Sequence, residues 1–153
     1  MDRKILSWDE YFINVCNLAA QRSKDPNTQV GAVVVSEDNR ILGVGYNGFP
    51  RGCGGEDFPW ERKGGFLETK YAFICHAEEN AIYMAHGDVR GAKVFCNVFP
   101  CNECAKTIIQ TGIKEVVYSS STKYFSEECY EASRRMMIAA GVLFRAHKID
   151  SES

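Results

Sequence analysis

Between residues 77 and 147 the chain alternates two apolar patterns, and this alternation limits its fold more than any other feature. Helical spacing over 77–86, 101–111 and 126–140 is interleaved with short apolar, β-branched runs at 93–99, 115–119 and 142–147. Gly87, Gly112 and Gly141 stand where helix C-caps are expected, because a residue without a Cβ closes a helix in the left-handed conformation at least cost. Strands joined by helical crossovers run parallel, so the last three strands are predicted to lie side by side in that sense. Upstream, Ser7 and Glu10 read as a capping box. Trp8, Tyr11, Phe12, Val15 and Leu18 follow at helical spacing and predict a first helix to about Arg22. Residues 30–35 and 41–46 are β-rich runs separated by Glu37-Asp38-Asn39-Arg40, a turn suited to an antiparallel hairpin. The expectation is one domain over 5–149, of α/β class. Its three α/β/α layers hold a five-stranded mixed sheet with helices on both faces.

Residues 47–75 interrupt this regularity with six glycines, two prolines and the apolar Phe58, Trp60 and Phe66. Irregular segments of that length in small domains tend to carry function. Charge and composition narrow the function further. Eighteen basic residues against 20 acidic ones leave a formal net charge of −2, without the basic excess that holds a protein on polynucleotide phosphates. Long nucleic acid is therefore not an expected partner. The longest apolar stretch, 136–144, is short and broken by Gly141, and charged residues interrupt the first twelve positions, where a signal peptide would carry its apolar segment. No membrane span or signal peptide is expected, and a cytoplasmic protein is. The seven cysteines are odd in number and fall mostly in or beside helices and strands, which fits a reducing compartment better than a disulfide scaffold.

Chemistry concentrates in His76-Ala77-Glu78 and Pro100-Cys101-Asn102-Glu103-Cys104, each at the start of a predicted helix. One imidazole and two thiolates form a three-ligand set for Zn²⁺, with the fourth tetrahedral position left to water. Helix starts stabilise thiolates, and Pro100 suits such a start because its missing N–H costs nothing there. Such a zinc lowers the pKa of its water towards roughly 7. Glu78, two residues beyond the histidine, is placed to shuttle protons between the water, a ring nitrogen and a departing amino group. H-x-E followed by P-C-x-x-C is the zinc deaminase signature. A lone C-x-x-C also fits a redox pair or half a structural zinc site. A structural site would need a fourth protein ligand, and Cys75 beside His76 offers poor geometry for one.

Around these motifs the chain resembles the deoxycytidylate (dCMP) deaminase family of the cytidine deaminase-like superfamily. The resemblance runs from about Trp8 to His147 and includes AAQRSKDPNTQVGA (19–32), GYNGFPRGC (45–53), HAEENAI and FPCNECAK. It implies a cytidine deaminase-like fold and hydrolysis of dCMP to dUMP and ammonia, supplying thymidylate synthesis. It further implies a homo-oligomer, commonly a hexamer, activated by dCTP and inhibited by dTTP, with Mg²⁺ accompanying the nucleotide effector. His76, Cys101 and Cys104 match the family's zinc ligands, Glu78 its catalytic acid/base, and Asn47 the asparagine that holds the nucleoside. Some viral members carry a second, structural zinc, but the surroundings of Cys16, Cys53 and His86 do not reproduce that pattern. His86 reads instead as a last-turn helix residue, and Cys16, Cys96 and Cys129 as buried small hydrophobes.

A monophosphate needs cationic or hydroxyl contacts. Arg22, Ser23 and Lys24 follow the first helix and Lys123 and Tyr124 follow the fourth strand; Arg22 and Tyr124 are the favoured pair among them. Arg134-Arg135 reads as a solvated face. Two other readings stay open from the sequence. One is a zinc deaminase of the same fold acting on a free nucleoside, guanine or a tRNA adenosine. The other is a non-catalytic zinc- or nucleotide-binding module.

Overall fold

The computed structural model describes residues 2–119 and 124–148. Its centre is a five-stranded sheet of order β2-β1-β3-β4-β5, built from β1 (Gly31–Val35), β2 (Ile41–Tyr46), β3 (Lys93–Cys96), β4 (Glu115–Tyr118) and β5 (Leu143–Ala146). β1 pairs antiparallel with both β2 and β3, while β3, β4 and β5 are mutually parallel. The sheet is therefore mixed, as the alternating pattern predicts. Strands β3, β4 and β5 are linked through helices α3 (Asn102–Gln110) and α4 (Glu127–Ala140), and α1 (Trp8–Ala20) and α2 (Ala77–Tyr83) complete the set.

Side-chain alternation along the strands assigns the two faces. Val33, Val35, Phe95 and Val117 point to one face and pack under Phe12, Ile13 and Cys16 of α1. Ala32, Val34, Val94, Cys96 and Val116 point to the other and meet Ala77 and Ala81 of α2, Ala105 and Ile108 of α3, and Met137 of α4. All five residues of β1 are buried, as befits a central strand covered on both sides. The hairpin turn closes with Asn39 at φ 64°, a left-handed position that asparagine tolerates better than most residues.

Two expected boundaries and one expected burial differ for local reasons. Helix α2 stops at Tyr83, with Met84 as its C-cap, because the chain turns so that the His86 N–H reaches the Leu42 carbonyl of β2. His86 is thus not a last-turn residue, and Gly87 lies beyond the cap. Strand β3 ends at Cys96 and not at 99. There the Asn97 side chain takes over the ladder, accepting from the Gly31 N–H and donating to the Gln29 carbonyl, and the following residues leave the sheet towards Pro100. Cys129 is half-buried, its thiol donating to Asn102 Oδ1 at 2.8 Å, so it is not a buried small hydrophobe. Cys16 and Cys96 are fully buried. Arg134 and Arg135 both pair with Glu131 on the outer side of α4. No helix among the described residues is long and apolar enough to cross a membrane.

Candidate active site

The fold brings the starts of α2 and α3 together beyond the carboxyl end of β3, the edge at which open α/β sheets place their ligands. His76 is the N-cap of α2 and Cys101 the N-cap of α3, and Cys104 sits in the first turn of the same helix. His76 Nδ1 lies 3.2 Å from Cys104 Sγ and 3.4 Å from Cys101 Sγ. The three donor atoms fall within 4.8 Å of one another, and among the described residues they are the one such cluster of His, Cys, Asp and Glu. Zn–S bonds of about 2.3 Å and Zn–N bonds of about 2.0 Å put tetrahedral N-to-S edges near 3.5 Å, so this donor set fits a zinc ion.

Electrostatics agree with that fit. Burial opposes charge on His76, but its hydrogen bond with Cys101 and the negative charges of Cys101, Glu78 and Glu79 outweigh it and lift the imidazole to about 9. The hydrogen bond from Cys104 brings the Cys101 thiol down to about 5 against its burial, with His76 acting in the same direction. That same bond, with burial and the charge of Glu78, pushes Cys104 well up. A divalent cation is the natural replacement for protons in such a cluster.

Glu78 is buried, 4% exposed, and stands beside the donors without belonging to the cluster. Its Oε2 accepts from Cys104 Sγ at 3.2 Å and its Oε1 from Cys96 Sγ at 3.0 Å. His76, Glu78 and Cys101 form one end of a cleft whose walls include Val30, Asn47, Ala77, Val98, Phe99 and Tyr130. Thr28, Arg62, Lys70, Tyr71, Tyr124 and Phe125 also line it, and Arg62, Tyr71, Tyr124 and Phe125 are exposed.

Asn47 is buried and its amide is largely committed. Oδ1 accepts from the Val30 N–H at 2.9 Å, and Nδ2 donates to the Thr28 carbonyl at 2.9 Å and faces Asp25 Oδ2 at 3.5 Å. One Oδ1 lone pair remains for a ligand. Asp25 also accepts from the N–H groups of Asn27 and Thr28 and pairs with Lys70, both side chains nearly free of solvent.

Arg22, Ser23 and Lys24 do not line the cleft. Arg22 lies over the Tyr46 ring, 6.0 Å from its centroid, and Lys24 is exposed. Ser23 donates to the Asn47 carbonyl at 2.9 Å, a brace behind the wall. The turn that ends α1 sends these three side chains elsewhere. Tyr124 does line the cleft, with its N–H bonded to Tyr130 Oη at 2.9 Å. Lys123 lies outside the described residues. Arg62, Lys70 and Tyr71 were not singled out by sequence. The signal available was only the length of the segment that carries them.

Residues 6–120 match the family model described as the cytidine and deoxycytidylate deaminase zinc-binding region. The deoxycytidylate deaminases of Pongo abelii and Homo sapiens are each 51% identical to this chain over 142 residues, 92% of this chain and 79% of theirs. The dCMP deaminase of cyanophage S-TIM5, crystallised in complex with dCMP and dUMP, superposes with a TM-score of 0.72 at 26% identity, covering 95% of this chain and 100% of that one. The histidine and cysteine donors at two helix starts, set in a sheet of this order and matched over most of the sequence, place the chain in the cytidine and deoxycytidylate deaminase family.

Proposed function

We propose that this protein hydrolyses dCMP to dUMP and ammonia. The observation that carries the reading is the buried Glu78 carboxylate beside the His76, Cys101 and Cys104 donors at one end of a cleft. Relatives named deoxycytidylate deaminase at 51% identity support the choice of nucleotide.

His76, Cys101 and Cys104 would hold Zn²⁺, which when bound supplies Lewis-acid activation of a water molecule. The chain's own contribution is proton transfer and positioning. Glu78 takes a proton from the attacking water and passes it to ring N3 as the new bond forms at C4. It then carries the second water proton to the exocyclic amino group, which leaves as ammonia as the C4–N4 bond breaks. Val30, Val98 and Phe99 give the pyrimidine an apolar lining. Asn47 accepts one hydrogen bond from a sugar hydroxyl through its remaining lone pair, held in place by Val30, Thr28 and Asp25. At the exposed end Arg62 and Tyr124 supply the cation and the hydroxyl that a 5′-phosphate requires. Arg22, Ser23 and Lys24, expected from their position after the first helix to contact the phosphate, keep only supporting places in this reading.

Assembly and regulation rest on family membership. A homo-oligomer, hexameric in this reading, is supported by the apolar Ile41 and Val44 exposed on the free edge strand β2 and by Tyr83 and Met84, exposed just beyond it at the end of α2. Activation by dCTP with Mg²⁺ and inhibition by dTTP belong to the same reading.

Ammonia release from dCMP and deoxycytidine, each with and without dCTP and Mg²⁺, tests it. The expected result is faster turnover of dCMP that rises with dCTP. Glu78→Gln should keep stoichiometric zinc and lose at least about 10²-fold in turnover, and Cys101→Ala should lose the metal. Equal kcat/KM for the nucleotide and the nucleoside would move the assignment to a nucleoside deaminase. Near-normal activity of Glu78→Gln would end the proposed mechanism.

A further inference from the structure

We propose that Cys96 is a positioning residue for the deamination, its thiol donating to Glu78 Oε1 so that Oε2 is held towards the reacting atoms. The inference rests on the deaminase reading and assigns a task to a side chain that the sequence presents only as core.

Cys96 is the last residue of β3, paired with Ala32 on one side and Tyr118 on the other, and its side chain is fully buried on the face covered by α2. Two central neighbours set the strand's register, so the position of Sγ relative to α2 follows from the sheet. Sγ lies 3.0 Å from Glu78 Oε1, inside ordinary hydrogen-bond reach for sulfur. The second carboxylate oxygen faces Cys104 Sγ at 3.2 Å.

The two contacts differ in what they can keep. Cys104 is one of the three donors, and a sulfur that ligates zinc does so as a thiolate, with no proton to give. Cys96 stands outside the donor cluster. Burial and the neighbouring Glu78 charge push its thiol well up, so it stays a donor. In the zinc-loaded protein the Cys96 bond is therefore the thiol contact that Glu78 retains. A glutamate has several rotatable bonds, and holding one oxygen restricts the other to the geometry that proton transfer needs.

Cys96 as a small hydrophobe filling the core is the competing account, and the two accounts order the variants oppositely. Cys96→Val keeps apolar packing and removes the donor; Cys96→Ser keeps a donor and introduces a smaller, polar group into the core. Positioning predicts that Cys96→Val retains full zinc and a parental Tm while kcat for dCMP falls about fivefold, with KM within about twofold. Cys96→Ser should melt lower yet keep kcat within about twofold of the parent. A readout independent of turnover is the infrared S–H stretch of the zinc-loaded protein. A band shifted to low frequency should disappear in Cys96→Val and move back up in Glu78→Gln. Parental kcat in Cys96→Val, or kcat values that follow the order of Tm, would overturn the positioning role. Absence of the shifted band would overturn the hydrogen bond itself. If the band behaves as expected while the parent releases no ammonia from any cytosine nucleotide or nucleoside, the deaminase reading fails, and the positioning role fails with it.

Discussion

Asn47 shows how much of a site residue's capacity can be spent on its own support. Three of its four hydrogen-bonding positions go to Val30, Thr28 and Asp25, which leaves one acceptor facing the cleft. Specificity for a phosphate must come from elsewhere. Lys70 is nearly buried and paired with Asp25, whereas Arg62 is exposed at the cleft and appears in no ion pair among the described residues. A charge-assisted contact contributes roughly 1.5 to 3 kcal/mol. Arg62→Gln should therefore lower kcat/KM for dCMP about tenfold or more and leave deoxycytidine turnover nearly unchanged. Steady-state kinetics on both substrates checks this, and an unaltered ratio would remove Arg62 from the phosphate site. At this scale His76, Glu78, Cys101 and Cys104 were legible in the sequence because each pair lies within one helical turn. Arg62 was not, since nothing periodic ties residues 47–75 to the rest of the chain.

Helix α2 sits unusually close to β2, and glycine makes the approach possible. A Cβ at Gly45 would stand 2.5 Å from the Ala77 carbonyl oxygen and clash with the Ala81 backbone N. Because α2 carries His76 and Glu78 at its start, this contact sets the depth of the site as well as the packing of the layer. Gly45→Ala should cost about 3 kcal/mol or more, since backbone cannot yield as a flexible side chain does. Urea unfolding should show the loss as a lower midpoint with an unchanged slope. A midpoint equal to the parent's would mean that the helix can shift freely. The strand run at 41–46 and the helical run at 77–86 were both legible as elements. Their close contact was not, because a glycine in a strand signals only that something comes near.

Across the whole molecule, the last strand is tied back to the first helix. Arg145 of β5 donates to both carboxylate oxygens of Asp9 in α1, at 2.6 and 3.0 Å, and through Nε to Glu115 at 2.8 Å. The Arg145 hydrogen bond holds the Asp9 carboxyl below its usual value of 3.8, with burial opposing. A carboxyl depressed in the folded state adds stability above its unfolded pKa and loses it as pH falls through the folded one. Asp9→Asn should thus be less stable than the parent by about 1 kcal/mol near pH 7, where a half-exposed bidentate pair is still screened. The difference should shrink as the pH falls through the lowered folded-state pKa of Asp9 and vanish in strong acid, where the carboxyl is protonated in both states. Parallel urea titrations at the two pH values check both sign and window, and a difference that persists in acid would refute the pairing as its cause.

By itself the sequence determined the elements, the parallel sense of the last three strands and the metal-type donors, because all of these depend on spacings within a turn or a strand. Only the tertiary structure decided which side chains face the donors. Lys70 meets Asp25 across 45 positions and Cys96 meets Glu78 across 18. Such contacts follow from strand register and from the path of an aperiodic loop. Both are settled by the simultaneous burial of many residues, and neither leaves a mark at any single position.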